Sequence, residues 1–214
     1  DSSYQEISYD KLFDGKECYI RFSGGGVIYE KIFEKIVQVS KNLNEHINVN
    51  QGIVSAADKV SDKHLKDFRI LSKKDDGIFA ISKQEMTNLN LTDQELDVIK
   101  PFYKNSDISR FFSNQMPSKF IIYSDKLFSQ NIEKYPNIIN HLENFKEILK
   151  QKRETDRGRL PWYSLHWARK KEIFEGEKII CPQRATTVSF SYNNIPWYAS
   201  ADVYFITQKK SQKK

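Results

Sequence analysis

Between residues 27 and 46 the chain reads VIYEKIFEKIVQVSKNLNEH, and its apolar positions Ile28, Ile32, Phe33, Ile36 and Leu43 recur near helical spacing with Lys and Glu on the other face. Such a stripe predicts an amphipathic helix. Ser23-Gly24-Gly25-Gly26 ahead of it marks a flexible break. INVNQGIVSAADKV then predicts a strand running into a glycine turn and a loop, while DGIFAIS and SKFIIYS have the apolar or alternating pattern of short strands. Between those two, Thr92 stands as an N-cap before Asp93-Gln94-Glu95, predicting a helix start ahead of Leu96, Ile99 and Pro101. The strongest helical signal is YPNIINHLENFKEILKQKRE, with Pro136 at a first helical position and Ile138, Leu142, Phe145 and Leu149 repeating at 4, 3 and 4 residues. Gly158 and Pro161 end it in a basic loop. KIICP, TTVSFSY and WYASADVYFIT predict three further strands, with Asn193-Asn194 as a turn between the last two. Helices and strands are interspersed without an internal repeat. The expected class is α+β, with antiparallel-rich sheets and interspersed amphipathic helices.

Composition adds little to the fold but bounds the function. At 214 residues, 39% hydrophobic and 13% aromatic, the chain is long and apolar enough for one large domain, with or without an accessory segment, and is not a disordered polymer. Two cysteines, Cys18 and Cys181, make no disulfide framework and point to free thiols in the reducing cytoplasm. No apolar run reaches the length of a membrane span, and no signal-peptide pattern opens the chain, so no membrane partner is expected. A net charge of +6 admits an anionic partner. That charge is uneven: residues 150–184 hold ten basic against five acidic side chains, and Lys209, Lys210, Lys213 and Lys214 add four more. A solvated face is the plain alternative for the first cluster, and a frayed end is the better reading of the second.

Catalytic motifs are mostly missing. His46, His64, His141 and His166 have no partner at metal-ligand spacing, and His141 reads as a partly exposed histidine on a helix face. Gly24-Gly25-Gly26 lacks the Lys-Ser/Thr of a phosphate-binding loop and reads as a hinge, and no G-x-S-x-G elbow occurs. NIPWY, Asn194 to Tyr198, is close to the Asn/Asp/Ser-Pro-Pro-aromatic loop with which amino-group DNA methyltransferases hold a flipped base. Ile195 replaces the first proline, however, and a hairpin turn is the better reading.

The stretch WYSLHWARKKEIFEGEKIICPQRATTVSFSYN, residues 162–193, combines aromatics, fixed positive charge and a polar pair delivered after a strand and a proline. Reading bases in a major groove needs such groups: Arg bidentate to guanine, Gln to adenine, a Thr methyl against thymine. Gln183, Arg184, Thr186, Thr187 and Ser189 are therefore the base-contacting candidates. The alternative is that Arg184 pairs with an acidic neighbour and the threonines are ordinary strand residues. Arg157, Arg159, Arg169, Lys170 and Lys171 suit phosphates, which position a protein without specifying sequence. Ser55 and Lys59, beside a glycine, and Lys104 and Arg110 join them, unless Asp107 pairs with Arg110. For Trp162 and Trp167 a core role is preferred to base stacking.

Six segments in this order, NQGIVSAADKV, IKPFYKNSDISRFF, KFIIYS, YPNIINHLENFKEILKQKRE, WYSLHWARKKEIFEGEKIICPQR and WYASADVYFIT, resemble the TaqI-like C-terminal specificity domain. That is the target recognition domain of adenine-N6 DNA methyltransferases and of fused type IIG restriction–modification enzymes. The resemblance spans roughly residues 45 to 207. It implies a target-recognition-domain architecture, double-stranded DNA as partner, and S-adenosylmethionine in a separate methyltransferase domain of the parent polypeptide. Residues 1–45 are then expected to connect to that domain, 46–207 to read DNA as a monomer with no cofactor or metal of its own, and 208–214 to form a basic tail. Two alternatives stand beside this: a freestanding module binding DNA or RNA, and an enzyme using Cys181 or a histidine.

Overall fold

A computed structural model of the chain describes residues 9–14, 19–20 and 26–209. Cys18, the break at residues 23–25 and Lys210, Lys213 and Lys214 lie outside these. The chain divides into two units, Asp1–His46 and Ile47–Lys214. In the first, α1 (Tyr9–Leu12) precedes an antiparallel pair, β1 (Phe13–Asp14) and β2 (Tyr19–Ile20), and then α2 (Gly26–Val39). That helix is the one predicted from the first apolar stripe, although it ends at Val39 and Leu43 falls in a separate turn.

The second unit opens with β3 (Ile47–Gln51), α3 (Asp62–Asp67), β4 (Ala80–Ser82), α4 (Lys83–Asn88), α5 (Asp93–Leu96) and β5 (Ile99–Tyr103). A hairpin of β6 (Ile108–Ser109) and β7 (Phe112–Ser113) leads to β8 (Lys119–Ile122). Four short helices follow, α6 (Lys126–Gln130), α7 (Pro136–Glu143), α8 (Lys146–Lys150) and α9 (Arg153–Asp156). Last come α10 (Glu172–Glu175), β9 (Lys178–Pro182), β10 (Ser191–Asn193), β11 (Tyr198–Ala199) and β12 (Val203–Gln208). Among the described residues two four-stranded sheets form, in the orders β10-β9-β12-β3 and β11-β5-β8-β4. The first is antiparallel throughout, and the second is antiparallel except where β11 lies parallel to β5. The class is α+β with antiparallel-rich sheets, as expected.

An aromatic core joins the sheets. Trp197 stacks on Tyr103 with ring centroids 4.5 Å apart, while Phe174 meets Tyr198 at 4.7 Å and Phe205 at 5.0 Å. On the other side Ile138, Leu142, Phe145 and Leu149 are all buried, so the predicted stripe does face the core. It is carried by separate helices rather than one rod. Asn144 turns its amide back onto the carbonyls of Asn140 and His141, at 3.3 and 3.2 Å, and the chain leaves helical geometry at Phe145.

Other local expectations need correction. Ile99 and Pro101 lie in β5, not in a helix; β11 reaches only as far as Phe102, so Pro101 sits where that side of the strand is an edge and no N–H is needed there. Only the end of TTVSFSY pairs, as β10, and Thr186 to Phe190 lie outside the sheet. WYASADVYFIT breaks into β11 and β12, which enter different sheets. Asn193-Asn194 and NIPWY are consequently no hairpin turn but the crossover between sheets, with Asn193 buried and donating to Ser113 Oγ at 3.1 Å. The glycine after β3 makes no turn either. A Cβ at Gly52 would lie 2.3 Å from the Ser200 carbonyl oxygen, so glycine is needed there for close approach of two backbones. No helix among the described residues is long and apolar enough to cross a membrane.

Candidate nucleic-acid interface

Strand ends of both sheets meet around the turn at residues 200–202. β3 ends at Gln51, whose side-chain amide donates to Ala201 O at 2.9 Å. β5 ends at Tyr103, whose carbonyl accepts from Ser200 N at 3.4 Å, and after β9 the Gln183 N–H donates to Asp202 O at 2.7 Å. β11 runs directly into this turn and β12 starts from it. Side chains that follow these strands are thereby presented at one end of the fold.

The base-contacting candidates occupy a single loop, residues 183–190, which links β9 to β10 beyond the end of their pairing. Arg184, Thr186 and Thr187 are exposed, and Arg184 makes no ion pair among the described residues, so the alternative of an acidic partner for it is not realised. Gln183 is held more firmly, its amide donating to Tyr204 Oη at 3.3 Å, and Ser189 Oγ donates to Thr187 O at 3.3 Å. These threonines are loop residues and not strand residues.

Arg169 lies at the same end. Its backbone has φ of +65°, its Nε donates to Gly52 O at 3.2 Å and its Nη2 to Gln51 Oε1 at 3.3 Å. The guanidinium also stands 5.1 Å from the Trp167 ring, which is 44% exposed. The core role expected for Trp167 is therefore wrong, because its backbone pairs with Val54 at the rim and turns the ring outward onto Arg169. Trp162 does pack against the core, and Trp197 is the fully buried tryptophan. Lys170 is exposed, and Lys171 lies half-buried with its ammonium 5.8 Å from the Tyr123 ring. Arg157 is exposed. Arg159 shares Glu154 with Arg153, at 3.2 and 3.0 Å, so much of its charge is already compensated. It lines a cleft of about 550 Å³ together with Trp167 and Arg169.

Lys104 leaves β5 exposed, and Arg110 sits at the tip of the β6–β7 hairpin. Asp107 does not pair with Arg110; it accepts from Lys104 N at 2.9 Å and from Asn114 Nδ2 at 3.2 Å. Lys59 borders a groove whose other wall is the 200–202 turn, but it is paired with Asp75. Ser55 is a correction: it is buried and its hydroxyl donates to Asp58 at 2.6 Å, leaving it nothing to offer a phosphate.

Two members of the basic cluster are structural. Lys152 Nζ donates to the carbonyls of Trp162 and Ser164, Lys178 Nζ to those of Gly176 and Ile195, and both side chains are buried. Burial pulls each ammonium down to about 8 from the ordinary 10.5. Below pH 8 both are charged in folded and unfolded chains alike, so the burial penalty is carried in full. Above it the folded chain releases protons that the unfolded chain keeps, and stability rises with pH. Cys181, its thiol pushed up from 9.0 by burial, opposes that rise from about pH 9, and Tyr103, pushed up to about 12 by burial, opposes it above pH 10. Urea unfolding should show stability rising by about 1–2 kcal/mol from pH 7.5 to 9 and then turning down. A flat or falling profile over that first interval, or one unaltered in Lys152→Met/Lys178→Met, would refute this account.

Two side chains that an enzyme could use are held by their surroundings. Burial disfavours the Cys181 thiolate, and His141 Nε2 is engaged with Ile78 O at 3.0 Å, half-buried on its helix. No group of three His, Cys, Asp or Glu side chains among the described residues is arranged to hold a metal ion. The carbonyl of Ile195 is occupied by Lys178 and Trp197 is wholly buried, so NIPWY has no aromatic ring free to stack on a base. Sequence reasoning missed the exposure of Trp167 and the aromatic hairpin tip. The signal for the tip was Arg110-Phe111-Phe112, since adjacent aromatics on a strand cannot both face one core.

No protein-family model and no curated protein matches this sequence. In three dimensions the chain is similar to a solved structure of the type IIL restriction-modification enzyme MmeI in complex with DNA, with a TM-score of 0.50 and 11% sequence identity. The likeness covers 80% of this chain and 20% of that one, and at such identity it establishes a shared fold.

Proposed function

We propose that the second unit is a double-stranded DNA target recognition domain belonging to a restriction–modification enzyme. The observation that carries this reading is the loop at residues 183–190. It presents Arg184, unpaired among the described residues, at the same end of the fold as Lys104, Arg110 and Arg169. The fold shared with a restriction-modification enzyme whose structure holds DNA supports it. Arg184, Gln183 and the threonines read base edges, while Lys104, Arg110, Arg157, Arg169, Lys170 and Lys171 hold phosphates. Methyl transfer from S-adenosylmethionine to adenine N6 we assign to a separate domain of the same cytoplasmic polypeptide, acting as a monomer. The only stretch here close to its catalytic loop is locked into the sheet crossover by Lys178.

Binding to a random-sequence duplex pool across a salt series tests this. Wild type should show a steep salt slope, and Lys170→Ala/Lys171→Ala should flatten it by about two phosphate contacts. Arg184→Ala should relax preference at one base pair of the selected site by about 1–3 kcal/mol with little change in slope. Binding only to single-stranded RNA, or an Arg184→Ala protein that selects the same site as wild type, would sink the proposal.

A further inference from the structure

The β6–β7 hairpin holds an aromatic ring where neither packing nor base-edge reading explains it. Its strands are two residues each, and its tip is Arg110-Phe111. Phe111 has φ of +66°, a conformation that side chains bearing a Cβ rarely adopt and a bulky aromatic residue adopts least. The surroundings hold it there: the Phe111 N–H donates to Phe190 O at 2.9 Å, tying the tip to the end of the 183–190 loop. The result is a ring 76% exposed, next to Phe112 at 59%. Arg110 stands 5.8 Å from that ring, and Lys104 lies at the base of the same hairpin with no ion pair among the described residues.

Apolar planes edged by negative charge are what such a tip complements, and stacked base pairs between two phosphate backbones have that chemistry. A second copy meeting this one through the same face would bring Arg110 and Arg184 against their own like charges. Resting on the reading that this chain binds duplex DNA, we infer that Phe111 is a wedge: its ring enters the base stack beside the bases contacted by the 183–190 loop, while Arg110 and Lys104 hold the flanking phosphates. The bond between Phe111 and Phe190 sets the spacing between the wedged step and the bases that are read, so the bound duplex is unstacked at one fixed position in its site.

The test uses the full chain and a duplex carrying its selected site, with 2-aminopurine placed at each position in turn. Wild type should raise the fluorescence of the probe at one step severalfold. Phe111→Gly should abolish that rise and weaken binding about tenfold, and Phe111→Trp should restore both. Glycine adopts the required φ freely, so this variant keeps the hairpin and the fold. Failure of wild type to bind any duplex would overturn both the recognition reading and the wedge. Duplex binding without a fluorescence change, or with the change retained in Phe111→Gly, would overturn the wedge alone. A wild-type dimer that Phe111→Gly converts to monomer would also overturn it, in favour of self-association.

Discussion

Glu95→Ala is expected to lower the stability of the second unit by about 3–5 kcal/mol. Glu95 is fully buried, and its carboxylate accepts hydrogen bonds from Thr92 N and Oγ1 at 3.0 and 3.1 Å. It also accepts from Asn137 N and Nδ2 at 2.7 and 2.8 Å and from Ile138 N at 3.0 Å. It thus closes the capping box of α5 and, 42 residues away in sequence, caps α7, whose own N-cap residue Tyr135 supplies no side-chain bond. Alanine would leave the first N–H groups of α7 buried and unpaired, at the helix that anchors Ile138 and Leu142 in the core. Burial pushes this carboxyl up, but the donors from Thr92, Asn137 and Ile138 outweigh it and hold it below the usual 4.5. A group depressed in the folded state contributes stability above the unfolded value and loses it as pH falls through the folded one. Urea unfolding at pH 7 and pH 3 should therefore show the gap between wild type and Glu95→Ala narrowing in acid. A loss below about 1 kcal/mol at pH 7 would mean that water replaces the cap.

The second large effect is expected from Gly52→Ala. The new Cβ would stand 2.3 Å from Ser200 O, 2.5 Å from Ala199 O and 2.9 Å from Ser200 C, all backbone atoms with no rotamer to change. Relief requires the 200–202 turn to move away from β3, and that breaks the bonds of Gln51 to Ala201 O and of Ile53 N to Ala199 O. Overpacking of this severity costs at least about 3 kcal/mol. Because Arg169 is held by Gly52 O and Gln51, duplex affinity should fall more steeply than stability alone explains, by more than about tenfold under conditions where the variant is still folded. Gly158→Ala is the control: that position has φ of +69° but nothing within 4 Å, so its loss should stay near 1 kcal/mol. Equal effects of the two substitutions would show that the turn yields easily and that no precise strand-end geometry is being held.

The apolar stripe of Ile138, Leu142, Phe145 and Leu149 was legible because burial follows periodicity even where helical hydrogen bonding breaks. The break was not, since it depends on Asn144 competing for backbone carbonyls, which an asparagine on a helix surface need not do. Tyr135-Pro136 did carry a signal that went unread: a helix start without Ser, Thr, Asp or Asn must find its cap elsewhere. Thr186 to Phe190 have the propensity of a strand, yet no partner strand extends beside them, and propensity does not choose partners. Counting charge placed Lys152 and Lys178 on a basic face, because a count cannot see which ammonium groups meet carbonyls inside the fold. Among the candidate site residues, Arg169 and Arg184 could be named from sequence by type. That the ends of β3 and β9, beside which they lie, converge on one turn is a property of topology, set by a β11 and β12 that belong to different sheets.

That topology also governs when the fold can exist. β12 is the last strand described, yet it lies between β9 and β3 and pairs with both. A nascent chain still attached to the ribosome at Ala199 therefore carries β3 and β9 with the strand they share missing, and neither can close the first sheet on its own. Synthesis proceeds at roughly 5–20 residues per second, so for several seconds the earlier strands wait as unpaired edges, in need of shielding from their neighbours on the same messenger. The same delay keeps the turn at residues 200–202 from forming early: until the last strands are made, the ends of β3, β5 and β9 have nothing to converge on.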